Sequence, residues 1–170
     1  AEGLLVGEPN RGVSVADADF GAIKAVYIQR MLMEPYAMRR ATRRLSQLEL
    51  ERAEDLLTRM SGKLKEREVI SVAELNRQFH FLFYKSCGSE SLIGQIEQLW
   101  QRWPWDLLQV IESRPGSSQK EHLAMMDAIR SGDLDEVAKA TESHLRESFL
   151  SLGEHLTGVI PEDVFSIDVD

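Results

Sequence analysis

Histidine is the residue type in this chain best suited to holding a metal ion, and there are four: His80, His122, His144 and His155. An imidazole is the commonest nitrogen ligand for zinc and nickel, and helical bundles build such sites from side chains on facing helices. Asn76 and His80 stand four residues apart in a helical pattern, so they project from one face a turn apart. Both interrupt an apolar face that carries Leu75, Phe79 and Phe83. His122 falls in the first turn of a later helix, and His144 in the middle of the last one. Three histidines on three helices, with an oxygen donor nearby, would form a closed set with room for an external ligand. His155 does not fit that set. It lies eleven residues beyond His144 on the same helix, about 16 Å along the axis, so one ion cannot bind both. The competing reading is histidines satisfied in the core or at the surface, and spacing alone leaves both open.

Other chemistries have weaker support. The chain contains no His-Glu-x-x-His, no Glu-x-x-His of di-iron bundles and no phosphate-binding loop. Cys87, at a helix end beside Gly88, reads as a small, partly buried residue. Arg39, Arg40, Arg43 and Arg44 form a basic cluster that reads as a solvated face paired with acids. Arg30 differs, because it precedes Glu34 by one turn in a stretch holding Tyr27, Ile28, Met31 and Leu32. It is either an i,i+4 partner of Glu34, worth roughly a few tenths of a kcal/mol, or a fork that holds a carboxylate inside the bundle. Trp100, Trp103 and Trp105 surround Pro104 and read as core or subunit interface more readily than as a cavity lining.

The elements that must position these residues are helices. Ser46 with Glu49, Ser71 with Glu74, Ser118 with Glu121 and Asp133 with Glu136 have capping-box spacing, in which each partner satisfies a free N–H of a first turn. Each precedes apolar residues of helical period, and Gly88 and Gly132 stand where helices should stop. The pattern predicts helices over 19–45 (bent at Pro35), 47–66, 72–87, 91–110 (disturbed at Pro104), 119–131 and 134–156. Ahead of them, Leu4-Leu5-Val6 and Val13-Ser14-Val15 flank Pro9, Asn10 and Gly12, which predicts a short hairpin. The expected fold is an all-α antiparallel bundle of about six to seven helices preceded by a short β-hairpin.

Composition narrows the function classes. With Lys+Arg 20 against Asp+Glu 28, the net charge is −8, so any DNA contact must sit on a local basic element. No apolar run approaches the roughly 18 residues that span a bilayer, and no membrane partner is expected. A single cysteine cannot form an intramolecular disulfide, which suits a reducing, cytoplasmic location.

These residues assemble into a recognisable series. Residues 2–15, Glu-Gly-Leu-Leu-Val-Gly-Glu-Pro-Asn-Arg-Gly-Val-Ser-Val, resemble the wing that ends a winged-helix domain in the GntR superfamily of bacterial transcription regulators. Tyr27-x-x-Arg30 through Glu34-Pro35 resembles the opening of the effector-binding (FCD) domain of its FadR-like branch. Asn76-x-x-Phe79-His80, Glu121-His122, Ala128-Ile129-x-x-Gly132-Asp133 and His144-Leu145 are similar to that domain's remaining signatures, in order. The resemblance implies a wing remnant at 1–17, an all-helical effector-binding and dimerisation domain at 18–157, and an acidic tail at 158–170. It implies a divalent metal, zinc or else nickel, on Asn76, His80, His122 and His144, with Asn76 standing where the family usually has Asp. Arg30 would meet a small carboxylate effector, and Arg11 in the wing would meet DNA. The partners expected are that effector, a second copy in a homodimer, and operator DNA for a full-length protein that includes a helix-turn-helix ahead of the wing.

The function expected is therefore ligand sensing for a DNA-binding transcription regulator, without catalysis. The alternative is a metal-dependent helical enzyme of hydrolase type. It needs a general base, and Glu121 and Glu142, one and two residues before histidines, would point off the ligand face.

Overall fold

The computed structural model describes residues 5–7, 13–15, 20–102, 108, 111 and 114–165. Six helices dominate these residues: α1 Phe20–Thr42, α2 Gln47–Glu66, α3 Val69–Ser86, α4 Glu90–Gln101, α5 Arg114–Ser131 and α6 Leu134–Thr157. Two three-residue strands, Leu5–Gly7 and Val13–Val15, pair antiparallel with Leu5 opposite Val15. None of the helices is long and apolar enough to cross a membrane.

Helix ends follow local chemistry, in places against the expected boundaries. The capping box at α2 forms: Ser46 Oγ accepts from the Glu49 N–H, and the Ser46 N–H donates to Glu49 Oε2 at 2.8 Å. At α6, Asp133 Oδ1 accepts from the N–H groups of Asp135 and Glu136 at 3.0 and 3.1 Å. The box expected at Ser71 is absent, because α3 begins earlier, at Val69, and the Ser71 hydroxyl donates to Glu68 Oε2 instead. The box expected at Ser118 is also absent. Helix α5 begins at Arg114, where Pro115 is tolerated in a first turn whose N–H groups have no intrahelical partners. Ser118 thus becomes a buried interior position. Helix α4 ends at Gln101 rather than near 110, a few residues before Pro104, which lacks an N–H and disfavours helix before it. Pro35 lies inside α1 without ending it.

Helix α1 packs against α3, α4 and α6, while α2 lies on α3 and α5, and α5 on α6. The larger core joins Met38, Leu57, Phe79, Phe83, Tyr84, Ile96, Met126 and Val137. A second cluster, of Ile23, Tyr27, Leu108, Phe149 and Leu152, is covered by Phe20, Val164 and Phe165. The histidines of interest lie among the residues these helices bury.

Candidate metal and effector site

Helices α3, α5 and α6 each contribute one imidazole to a common point. His80, His122 and His144 are all buried, and one ligand atom from each lies within 4.8 Å of the others. His80 Nε2 and His122 Nε2 approach to 3.1 Å. A tetrahedral zinc with bonds of about 2.0–2.1 Å needs nitrogens about 3.4 Å apart, so a small closure of the set would suffice. His155 is exposed in the last turn of α6, away from the triad.

Neighbouring groups decide which nitrogen of each ring carries its proton. Tyr84 Oη donates to Glu34 Oε2 at 2.7 Å, so toward His80 Nδ1, 3.3 Å away, it acts as acceptor. That places the His80 proton on Nδ1 and a lone pair on Nε2. His144 Nδ1 lies 2.7 Å from Glu121 Oε2, a carboxylate, with the same result. Two rings thus present Nε2 lone pairs, and the outer nitrogens are held as they are in metal sites. His122 Nδ1 is buried without a hydrogen-bond partner among the described residues. For His122 to join the other two, its proton must move to that nitrogen.

Electrostatics favours neutral imidazoles. Burial pushes His80 and His122 well below the ordinary histidine range, and charge on neighbouring His144 pushes further. His144 is lowered by burial, against an upward pull from Glu121. For Glu121, burial raises the carboxyl, but hydrogen bonds from His144 and Arg114 outweigh it and leave the group below its usual value. A neutral imidazole is the ligand form, so this donor set fits a divalent ion.

The triad borders a cavity lined by Arg30, Asn76, Trp100, Leu108, Arg114, Ser118, His144 and Ser148. Asn76, one turn before His80 on α3, is half-buried there. The cavity measures about 20 Å³, room for about one water molecule. Any organic acid must therefore part its walls.

Two buried arginines flank it, each tied to a glutamate. Arg30 Nε meets Glu34 Oε1 at 2.6 Å and its terminal nitrogen meets Oε2 at 3.1 Å. Glu34, wholly buried, also accepts from Trp100 Nε1 at 3.0 Å. Both earlier readings of Arg30 thus meet in one residue, since it is Glu34's partner but inside the bundle. Trp100 joins core and cavity, stacking its ring 4.9 Å from the Arg30 guanidinium. Arg114 grips both Glu121 oxygens at 2.6 and 2.7 Å and reaches Ser148 Oγ at 2.6 Å.

Sequence reasoning missed Arg114, Glu34, Tyr84, Ser118 and Ser148 as site residues, and it misjudged Glu121. That carboxylate does not point away, because it crosses from α5 to the His144 ring on α6. Signals existed in Arg114, Ser118 and His122, spaced every four residues along one face, and in the i,i+4 pair His144–Ser148. Glu142 is exposed. Cys87 is wholly buried. In the basic cluster, Arg39 pairs with Asp135 at 3.1 Å and Arg40 donates to the Cys87 carbonyl. Arg11, Trp103 and Trp105 lie outside the described residues.

Comparison with known proteins agrees with this architecture. The chain's fold is similar to that of E. coli McbR/YncC, with TM-score 0.76 and 17% identity over 89% of this chain and 78% of that one. It is also similar to Streptococcus agalactiae GntR, with TM-score 0.64 and 16% identity over 86% and 74% of the two chains. No curated protein sequence matches it. The FCD domain matches residues 25–147, an interval that holds Arg30, all three clustered histidines and both buried ion pairs. By that match across most of its length, the chain belongs to the FCD domain family.

Proposed function

We propose that this chain is the ligand-sensing and dimerisation domain of a GntR-type DNA-binding transcription regulator. His80, His122 and His144 would hold one divalent ion, zinc or else nickel, with Asn76 as a weak oxygen ligand. Bound there, the ion supplies a Lewis-acidic anchor for a small carboxylate effector, and Arg30 supplies a charge-assisted contact to the same acid. The observation that carries this reading is the convergence of three buried imidazoles, from three helices, beside a cavity that His144 lines together with a buried arginine. The structural relatives named for GntR and McbR support placing such a site in a regulator. Arg11 is the DNA-contact residue in this proposal, and a homodimer is the assembly.

Sensing follows from the small cavity. An acid that binds must displace walls belonging to α1, α4, α5 and α6, and so favours one arrangement of the bundle over another. Helix α1 carries Arg30 and begins at Phe20, directly after the segment expected to be the wing. A shift of α1 would therefore reach a DNA-reading head, and twofold pairing would convert it into a change of head spacing.

The enzyme alternative is less well supported by the geometry. Glu121, the carboxylate nearest the triad, accepts from both Arg114 nitrogens and from His144, and its proton affinity is lowered rather than raised. A general base needs the opposite environment. The test is elemental analysis of purified protein with paired variants. His122→Ala should abolish stoichiometric metal and His155→Ala should retain it. Metal kept without His122, or turnover of a bound acid, would overturn the proposal.

A further inference from the structure

We propose that Arg114 and Ser118 form a second anion subsite in this cavity, beside that of Arg30, and that the effector is accordingly a short dicarboxylate. This rests on reading the cavity as an acid sensor and goes further by naming what the far end of the acid must carry.

The first observation is an orphan donor. Arg114 is buried, and both its terminal nitrogens are committed to Glu121, Ser117 and Ser148. Its Nε–H is buried too, yet has no hydrogen-bond partner among the described residues. An unmade hydrogen bond on a buried charged group is costly and rare in folded proteins, so the position calls for an acceptor. The second observation lies one turn along the same face of α5. Ser118 lines the same cavity, and its hydroxyl makes no hydrogen bond among the described residues. Ser148 cannot supply the missing acceptor, because its hydroxyl accepts from Arg114 and donates to the His144 carbonyl. The wall made by α5 thus offers two N–H and O–H donors that no acceptor among the described residues engages, a pattern that can receive a carboxylate.

Charge balance points the same way. Arg30 is cancelled by Glu34 and Arg114 by Glu121, and neither a metal-ligating imidazole nor the Asn76 amide brings a charge. A divalent ion on the histidines would leave two uncompensated positive charges in a desolvated cavity. One carboxylate offsets half of that, whereas a dicarboxylate offsets all of it. Arg30 and the ion would take one end, and Arg114 Nε–H with Ser118 Oγ–H the other.

The experiment compares two acids of equal carbon count, succinate and butyrate, by calorimetry on protein equilibrated with one equivalent of zinc. The parent should prefer succinate by about thirtyfold, the scale of charge-assisted hydrogen bonds made by a second carboxylate. Ser118→Ala and Arg114→Gln should each cut that preference to within a few-fold. Arg114→Gln also removes Glu121's cation and could unfold the chain, so Ser118→Ala, checked by circular dichroism, keeps the test decisive. Equal binding of both acids, or a preference that survives Ser118→Ala, would overturn the second subsite while leaving the sensor reading standing. Binding of neither acid would overturn both.

Discussion

Removing one phenolic oxygen tests whether the groups behind the histidines prepare them for metal. In Tyr84→Phe the ring stays in the core, but His80 Nδ1 loses its 3.3 Å acceptor and Glu34 loses its 2.7 Å donor. Glu34 keeps Arg30 and Trp100, so its buried charge stays compensated. The exposed cost is an orphaned His80 N–H, about 1–3 kcal/mol of stability, or a fall in Tm of roughly 2–12 °C for a chain of this size. Metal binding should suffer separately. Without Tyr84, the His80 ring is free to put its proton on Nε2 and donate to His122, a tautomer that cannot bind the ion. Losing such an outer partner weakens metal affinity about 10- to 100-fold. Competition for zinc against a chromophoric chelator would read this directly, with Tyr36→Phe, at an exposed tyrosine of α1, as control. If Tyr84→Phe lowered Tm but left zinc affinity unchanged, Tyr84 would only pack, and the proton assignment argued above would be wrong.

Three further outcomes are expected. Arg30→Ala should weaken acid binding at least tenfold, but it also strands the buried Glu34 carboxylate at a cost of about 3–5 kcal/mol; calorimetry on Arg30→Met/Glu34→Gln isolates the binding effect, and unchanged affinity there would refute the anchor. In zinc-free protein, stability should be level above pH 7 and fall as pH drops through 6.5, because the unfolded histidines then take up protons that burial denies to His80, His122 and His144 in the fold. The limiting slope for three such groups is about 4 kcal/mol per pH unit, and a urea midpoint constant from pH 7.5 to 5.5 would contradict it. Asn76→Asp should raise zinc affinity and lower acid affinity, since it supplies a charge that the acid would otherwise bring; titration in which both affinities rose would refute that balance.

How far the site could be read from sequence depends on the range of each interaction. The i,i+4 pair Asn76–His80 is local, and helical period alone placed it on an inward face. His122 and His144 needed only correct helix assignment, and eleven residues of separation were enough to exclude His155. Arg114 escaped because Pro115 and Gly116 read as loop, although proline is at home in a first helical turn. Once α5 is drawn from Arg114, its four-residue spacing to Ser118 and then His122 is plain. The reach of Glu121 to His144 and the Tyr84–Glu34 contact were not legible. They depend on how α5 meets α6 and α3 meets α1, which is set by packing between distant segments.

The strap formed by residues 161–165 carries a practical consequence for anyone fusing a reporter to this chain. Phe165 meets Phe149 at 5.4 Å between ring centroids, and Phe149 stacks in turn on Phe20, the first residue of α1. Pro161 lies so close to Gly153 that a methyl group there would come within 2.6 Å of its ring. The two ends of the helical domain are thus fastened through one aromatic column. Trimming the chain after Gly158 to attach a fluorescent protein would uncover part of Phe149 and of the half-buried Phe20, at a fraction of the roughly 1.5–3 kcal/mol that a fully buried large side chain contributes, and would loosen the start of α1. A biosensor built from this domain should carry its reporter beyond Phe165, with the column left whole.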